Sequence, residues 1–181
     1  MAQLIELSDR TGLDYLQGFV ARGQNLRPLL LEIGEDLAES TKQRFASATD
    51  PDGQAWAPNS ALTLARYSSL FAKKKDGSLT KRSATKLAGK KPGTGETGAL
   101  KTTINYQVHG EDTVGIGSPM IYAGTFNYGA KSGEFGFGMF ASRNGSFPIP
   151  WGDIPARRFL GLSAADKVNV ADLIRSYMLE G

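Results

Sequence analysis

The sequence predicts an α+β fold in which a long N-terminal helix and a C-terminal helix pack on a small, mostly antiparallel sheet. The first observation is that apolar residues between Leu26 and Phe45 recur at steps of three and four, as on one side of a helix. The second is an apolar–polar alternation from Ile104 to His109, which is typical of a half-buried strand. The third is a return to helical spacing after Ser163.

The chain fits a single domain, residues 1–181, because its length lies in the usual range for one domain. Two segments differ from the rest. Residues 60–97 form a basic flexible arm or insertion, in which residues 64–71 are spaced for a helical fragment, and residues 130–150 form a Gly/aromatic loop. Apolar residues become rare in the arm from Lys73 onward, so part of the arm is expected to be mobile in the free protein.

The N-terminal part is predicted to contain a short strand and two helices. The opening AQLIELS fits a strand, and residues 13–22 fit a helix weakened by glycine. The main helix starts at its cap Asn25, tolerates Pro28 in its first turn and stops at the turn 50–53. Its apolar stripe is Leu26, Leu30, Ile33, Leu37, Thr41 and Phe45. Its remaining surface is covered by Glu32, Glu35, Asp36, Glu39, Lys42 and Arg44.

The C-terminal part begins with a predicted β-hairpin, whose turn lies at residues 110–112. A short helix is predicted over residues 118–129, with a capping serine, then proline at the first helical position and glycine at the end. A further strand is predicted at residues 157–160. Ser163 and Asp166 have the spacing of a capping box and begin the last helix. Its predicted inner face is Val170, Leu173, Ile174 and Tyr177.

Composition argues against an enzyme. The chain has no cysteine, which excludes disulfides, thiolate zinc sites and cysteine nucleophiles. With His109 as its one histidine, a His-based metal cluster or a Ser-His triad is not expected either. The adjacent carboxylates at residues 35–36 and 111–112 are interpreted as solvated surface. We therefore predict no catalytic residues, no cofactor and no metal.

The N-terminus and the hydropathy of the chain predict a protein made in the cytoplasm. The N-terminus has no basic residues before its short apolar run, so it does not resemble a secretory signal. No apolar run approaches the roughly 18 residues of a membrane span, and no membrane contact is expected.

The net charge of +3 conceals a separation of charge along the chain. Residues 66–101 contain ten basic and two acidic residues, a charge of +8, which leaves eleven basic and sixteen acidic residues, or −5, for the rest. Such a basic strip is typical of an arm that contacts polyanions or acidic protein surfaces. The candidate cations facing DNA or an acidic partner are Lys73, Lys74, Lys75, Lys81, Arg82, Lys86, Lys90 and Lys91.

Two partners for the basic strip stay open. Lysine contacts with phosphate would bind DNA without sequence preference and with strong dependence on salt. However, no aromatic residues alternate with these lysines, as they do in many proteins that bind single strands. An arm that becomes ordered against a protein partner is the favoured hypothesis, and direct DNA binding is the alternative.

The stretch KKPGTGETGALKTT contains a G-x-G-x-x-G motif at Gly93, Gly95 and Gly98. A dinucleotide site needs a strand before the first glycine and a helix at the last, whereas here a basic, weakly apolar segment precedes and a strand-like alternation follows. A P-loop needs lysine directly after its second glycine, and residues 99–100 intervene before Lys101. The glycines are instead predicted to be a flexible approach to the strand.

The Gly/aromatic loop contains Phe135, Phe137, Phe140 and Phe147, more large apolar side chains than the surface loop of a monomer usually needs. Contact with a partner explains this composition. Lining of the core explains it equally well, and both interpretations stay open.

Four stretches in order along the chain carry a family resemblance: RFASATDPDGQAWAPNSALTLARY, TGALKTTINY, VGIGSPMIYAGTFNYG and IPARRFLGLSAAD. With these stretches the chain resembles the phage virion morphogenesis family, the tail-completion proteins of Mu-like and related phages. The resemblance runs from about Leu26 to the C-terminus and is strongest in IPARRFLG. The middle motif ends in Phe-Asn-Tyr-Gly here, where a His-Gln-Phe-Gly-like end is expected.

The resemblance implies a structural virion protein at the head–tail neck, which completes the tail and joins it to the DNA-filled head. It implies a ring of copies, with six favoured over twelve, that contacts the tail tube or sheath and the connector or portal-side proteins. Genomic DNA in the lumen is a possible non-specific contact. The candidate partner and oligomer contacts are Trp56, Phe135, Phe137, Phe140, Arg157, Arg158 and Phe159.

Overall fold

The structure is a computed structural model that describes residues 10–71, 73–95, 97–132, 134, 139–142, 145–148 and 153–180. These residues form the predicted α+β fold, with seven helices and two separate two-stranded antiparallel sheets. The strand expected at residues 2–8 lies outside the described residues.

The N-terminal part contains α1 (Arg10–Gln24) and α2 (Arg27–Ser47), so both predicted helices are confirmed. The capping prediction for α2 was wrong. Leu26 precedes the first helical residue and makes no capping hydrogen bond through its side chain. Asn25 lies one position too early to cap α2 and instead follows the end of α1, where its N–H donates to the carbonyl of Arg22 at 3.1 Å. The proline in the first turn of α2 is confirmed.

The arm contains two short helices, α3 (Ala61–Ser69) and α4 (Lys81–Ala88), which pack against each other. Each helix has a hydroxyl cap: Ser60 accepts a hydrogen bond from the N–H of Thr63, and Thr80 accepts one from that of Ser83. The arm is therefore a pair of packed helices in the structure. Its mobility in the free protein stays a prediction.

A one-turn helix, α5 (Ala99–Thr102), leads into the hairpin of β1 (Asn105–His109) and β2 (Thr113–Gly117), which confirms the predicted hairpin. Tyr106 lies opposite Ile116 on the face of the hairpin that packs on α2. Gly34 makes this close approach possible, because a Cβ atom there would lie 2.4 Å from the ring of Tyr106.

After the hairpin come α6 (Ala123–Tyr128), β3 (Met139–Ser142), β4 (Gly145–Pro148) and α7 (Ala164–Glu180). The helix α6 starts later than residue 118, because the hydroxyl of Ser118 accepts from the N–H of Met120 and holds a turn before the helix. It ends at Gly129, as predicted. Gly129 has φ of 76°, and a Cβ atom there would lie 2.7 Å from the carbonyl oxygen of Ile154.

The strand predicted at residues 157–160 was wrong, since this segment pairs with no strand in the described chain. Its backbone donors have other partners. The N–H groups of Phe159 and Leu160 both donate to the side-chain oxygen of Asn127, at 3.0 Å each, and the N–H of Arg157 donates to the carbonyl of Phe126. The backbone of this segment therefore bonds to α6, where that of a strand would bond to a neighbouring strand.

The core consists of two clusters along α2, and Ile116 of β2 packs against both. The first joins the end of α2 to the C-terminal segment and contains Ala38, Phe45, Trp56, Leu100, Ile104, Ala123 and Phe159. The second joins the start of α2 to α7 and contains Leu29, Ile33 and Leu37, covered by Val170, Leu173 and Tyr177. Ile174, which was predicted on the inner face of α7, is exposed.

Candidate assembly interface

The base of the arm is anchored in a cluster of four aromatic rings. Phe45 of α2 packs edge-on against Trp56, with ring centroids 5.0 Å apart, and against Phe159 at 5.4 Å. Phe126 of α6 completes the cluster at 5.4 Å from Trp56. Edge-to-face and tilted pairs at these distances favour a fixed arrangement of the rings. The cluster therefore fixes the point at which the arm leaves the body.

The C-terminal motif IPARRFLG fastens the same point with hydrogen bonds. The indole N–H of Trp56 donates to the carbonyl of Arg158 at 2.9 Å. The guanidinium of Arg157 donates to the carbonyls of Ala57 and Pro58, both at 2.8 Å. The motif thus binds the backbone of the segment that enters the arm.

These contacts locate the candidate partner residues. Trp56 is 7% exposed, Arg157 is 9% exposed and Phe159 is fully buried, so all three pack within the body of a single copy. Arg158 is exposed and pairs with Asp52 at 2.6 Å. The structure therefore brings the C-terminal candidates and Trp56 together, with Arg158 as the one of these four whose side chain is at the surface.

The structure describes only part of the Gly/aromatic loop and its candidate contact residues. Phe135 and Phe137 lie outside the described residues. Phe140 lies in β3, where its backbone pairs with that of Phe147 in β4. The strands β3 and β4 pair within this segment, and the contact role of its phenylalanines stays a prediction.

A buried ion pair was missed by the sequence interpretation, which placed Arg44 on the charged surface of α2. Its guanidinium lies in the interior, donating to a carboxylate oxygen of Asp166 at 2.5 Å and to the carbonyl of Phe159 at 2.6 Å. Asp166 also accepts from the hydroxyl of Ser40 at 2.6 Å. The capping box of α7 is confirmed, because Ser163 and Asp166 exchange two hydrogen bonds. One sequence feature indicates this position: at 100° per residue, Arg44 falls within the apolar stripe, between Ile33 and Leu37.

Burial and hydrogen bonding act in opposite directions on Asp166. Burial alone raises the pKa of its carboxyl group, but hydrogen bonds from Ser40 and Ser163 and the charge of Arg44 lower it more, so the pKa lies below the usual value. For Arg157, burial lowers the pKa of the guanidinium. Every buried side-chain nitrogen and oxygen in the described residues has a hydrogen-bond partner. These groups maintain the fold.

The arm folds back on its own base through its last lysines. Lys90 lies 4.0 Å from the centre of the Tyr67 ring and donates to the carbonyl of Gly95, while its own carbonyl accepts from the side chain of Asn59. Lys91 donates to the carbonyl of Ala46 at the end of α2. These two candidate cations are thus engaged within one copy.

The other six candidate cations are exposed to solvent. Within the described chain none of them forms an ion pair, although the arm and the acidic body belong to one polypeptide. The six are Lys73, Lys74, Lys75, Lys81, Arg82 and Lys86. Their charge faces outward and is available to a partner.

The glycine motif has a packing role. A Cβ atom on Gly93 would lie 2.6 Å from the ring of Phe126 and 3.0 Å from that of Phe45, so the backbone passes directly over the aromatic cluster. Gly98 has φ of 70° and precedes α5, which intervenes before the strand that was expected directly after it. No strand precedes Gly93 in the described arm, so the order required for a dinucleotide site is missing. The motif borders an open groove of about 570 Å³ between α3, α6 and residues 153–157.

The described residues hold neither a metal-binding cluster nor a membrane-spanning helix. No group of three or more His, Asp or Glu side chains is arranged to hold a metal ion in that part of the chain. None of its helices combines the length and the apolar character that crossing a membrane requires.

Comparison with known proteins gives one match. The model of a family described as the phage virion morphogenesis family matches residues 8–179, nearly the whole chain. No curated protein and no solved structure matches.

Proposed function

Because the chain belongs to the phage virion morphogenesis family, we propose that it is a structural protein of the head–tail neck, where copies form a ring that completes the tail and joins it to the head. Family membership is the observation that carries this proposal. We infer six copies, which fit the symmetry of a tail, and contacts with the tail tube or sheath on one side and connector proteins on the other.

The geometry supports a protein that works by fitting against other proteins. A ring subunit needs two different surfaces that complement each other, so that each copy binds the next until the ring closes. This chain has a body with two buried apolar clusters, a helical arm that leaves the body at an aromatic base, and outward-facing charge on that arm. An arm held at one end is suited to reach a neighbouring copy.

A phage that lacks the gene tests the proposal directly. We expect lysates of such a phage to contain DNA-filled heads and separate tails, visible by electron microscopy, because the joint between them is missing. Expression of the wild-type chain in the same host should restore infectious particles. Complete, infectious particles in the absence of the chain would contradict the proposal.

Light scattering tests the ring. The purified chain, alone or with tail-tube protein, should give a discrete mass of six copies, and twelve copies would place it on the portal side. A chain that stays monomeric with every tail and connector protein would be incompatible with a neck ring.

The six exposed cations favour one alternative function, a nucleic-acid-binding protein that acts in DNA packaging or capsid assembly. Such a protein would bind bare duplex DNA, and its affinity would fall by about 10³–10⁵ between 50 and 200 mM salt if it contacted six to ten phosphates. A steep salt dependence of duplex binding, together with a monomeric mass, would favour this alternative over the ring.

A further inference from the structure

The exposed side of α2 carries a compact acidic face. Glu32, Glu35, Asp36 and Glu39 are all exposed, and at 100° per residue they lie within an arc of about 100°. Lys42 is the only described cation within ion-pair distance of these carboxylates, at 3.9 Å from Glu39. Among the described residues, the acidic face is therefore largely without counter-charge.

The acidic face adjoins a shallow groove between α2 and α7. The groove has a volume of about 330 Å³, and Asp36 and Glu39 lie along its α2 side. Polar side chains of Gln43 and Asn169 line it as well. The carboxylates thus border a concave surface that is open to a side chain of a neighbouring molecule.

The arm carries the complementary charge on α4. Lys81, Arg82 and Lys86 are exposed and share an arc of about 140°, whereas Ser83 is buried on the other side of the helix. All three cations lack an ion-pair partner among the described residues. The helix α4 thus presents three cations on one side.

The neighbouring helix α3 favours protein as the partner of this surface. Leu62 and Arg66 of α3, and Leu70 directly after its last residue, are exposed and follow one another at steps of four, so they form one stripe. The two leucines are 59% and 58% exposed. A phosphate backbone offers no apolar surface for them, whereas the acidic face of α2 has the half-exposed Leu31 beside it.

We propose that the α3–α4 arm of one copy docks on the acidic face of α2 in the next copy. This inference rests on the proposed ring and names the contact that builds it. The two surfaces have opposite charge and form no ion pair with each other within one copy. In the proposed contact, a second copy supplies the counter-charge to each surface. Because the two surfaces differ, the same contact can repeat in one direction from copy to copy, as a closed ring requires.

Charge reversal on each surface tests the contact. The arm variant combines Lys81→Glu, Arg82→Glu and Lys86→Glu, and the face variant combines Glu32→Lys, Glu35→Lys and Asp36→Lys. A control, Glu111→Lys with Asp112→Lys, reverses two exposed acids in the turn of the β1–β2 hairpin that belong to neither surface. Circular dichroism and thermal unfolding verify that each variant is folded, and analytical ultracentrifugation measures the association of each one.

Each variant alone should associate at least about tenfold more weakly than the wild type, since several surface ion pairs become repulsive contacts. An equimolar mixture of the arm and face variants should assemble again, because an acidic arm meets a basic face and a basic arm meets an acidic face. The control should associate like the wild type, and added salt should weaken the wild-type contact.

Three results would overturn the contact. If wild type and both variants form equal rings, the ring stands and this contact is wrong. If the wild-type chain is monomeric at low salt and high concentration, the contact is wrong, and the gene-deletion test decides the morphogenesis role. If the arm variant loses binding to a 30-base-pair duplex while association is unchanged, the arm serves DNA.

Discussion

At the scale of single residues, the buried pair of Arg44 and Asp166 ties the end of α2 to the start of α7. The pair also includes Ser40 and the carbonyl of Phe159, so each charged group has several hydrogen bonds. Removing the partner of a buried charge destabilises the protein much more than removing the partner of an exposed charge, because no water takes the partner's place. The pair is therefore the point at which a single substitution should have the largest electrostatic effect.

We expect Asp166→Ala to lower the free energy of unfolding by about 3–5 kcal/mol, since Arg44 would keep a buried charge without a counter-charge. Urea denaturation measures this loss. The matched control is Asp172→Ala on the same helix, where Asp172 forms an exposed pair with Arg175 at 3.0 Å. Its removal should cost less than about 1 kcal/mol. Equal losses in the two variants would show that burial of the first pair does not matter.

The same carboxylate predicts a dependence of stability on pH. Its pKa in the folded protein is lowered, so its contribution to stability is present above the unfolded pKa of about 4 and is lost as the pH falls through the folded value. The difference in unfolding free energy between wild type and Asp166→Asn should therefore shrink below about pH 4. A difference that stays constant from pH 7 to pH 2 would contradict the lowered pKa.

At the scale of elements, the contact between α2 and the β1–β2 hairpin depends on a glycine within the helix. Gly34 lies in the middle of α2, where an alanine would ordinarily favour the helix. The ring of Tyr106 occupies the space of its missing side chain. A residue with a side chain at this position would push the hairpin away from α2, so glycine permits the close approach.

Gly34→Ala should destabilise the protein by about 1–2 kcal/mol, because overpacking against Tyr106 outweighs the gain in helix propensity. The control is Gly124→Ala in α6, where a Cβ atom would have no atom within 4 Å. That variant should be neutral or slightly more stable. Chemical denaturation midpoints compare the two, and a stabilised Gly34→Ala would mean that the hairpin moves freely relative to α2.

At the scale of the whole molecule, the chain divides into an acidic body and a basic arm that meet at the aromatic cluster. Around the base the contacts are dense, with Gly93 packed on two rings and the segment entering the arm held by Arg157. Beyond the base, α3 and α4 pack mainly on each other. The body should therefore be the more stable unit, and the arm the part that changes on assembly.

Limited trypsin digestion should cut the free chain first within residues 73–86, where exposed lysines and arginine lie in and after a surface turn. The buried Arg44 and Arg157 provide an internal control and should resist cleavage until the body unfolds. Assembly into the ring should slow the cuts in the arm, as read by mass spectrometry. A first cut in α2 or α7 would contradict the division into a stable body and an open arm.

The order of elements followed from the sequence because local spacing encodes it. The stripe of α2, the alternation in β1 and the capping box of α7 are each contained within a few turns or a single strand, and all were confirmed. The separation of charge, and the motifs of the phage virion morphogenesis family, were also visible in the sequence. The helix starts at Asn25 and Ser118 were misplaced, because short hydroxyl and amide side chains also stabilise turns just outside a helix.

Only the tertiary structure decided which distant residues meet. The carboxylate of Asp166 reaches Arg44 across 122 residues, and Trp56 reaches the carbonyl of Arg158 across 102. The segment at 157–160 has a strand-like pattern, but its backbone donors bond to Asn127 of α6 and to the backbone beside it. Periodicity reports only the side of an element that faces inward. Which residue packs against that side depends on the tertiary fold. The fold buries Trp56, Arg157 and Phe159 in the body and leaves the cations of α4 exposed.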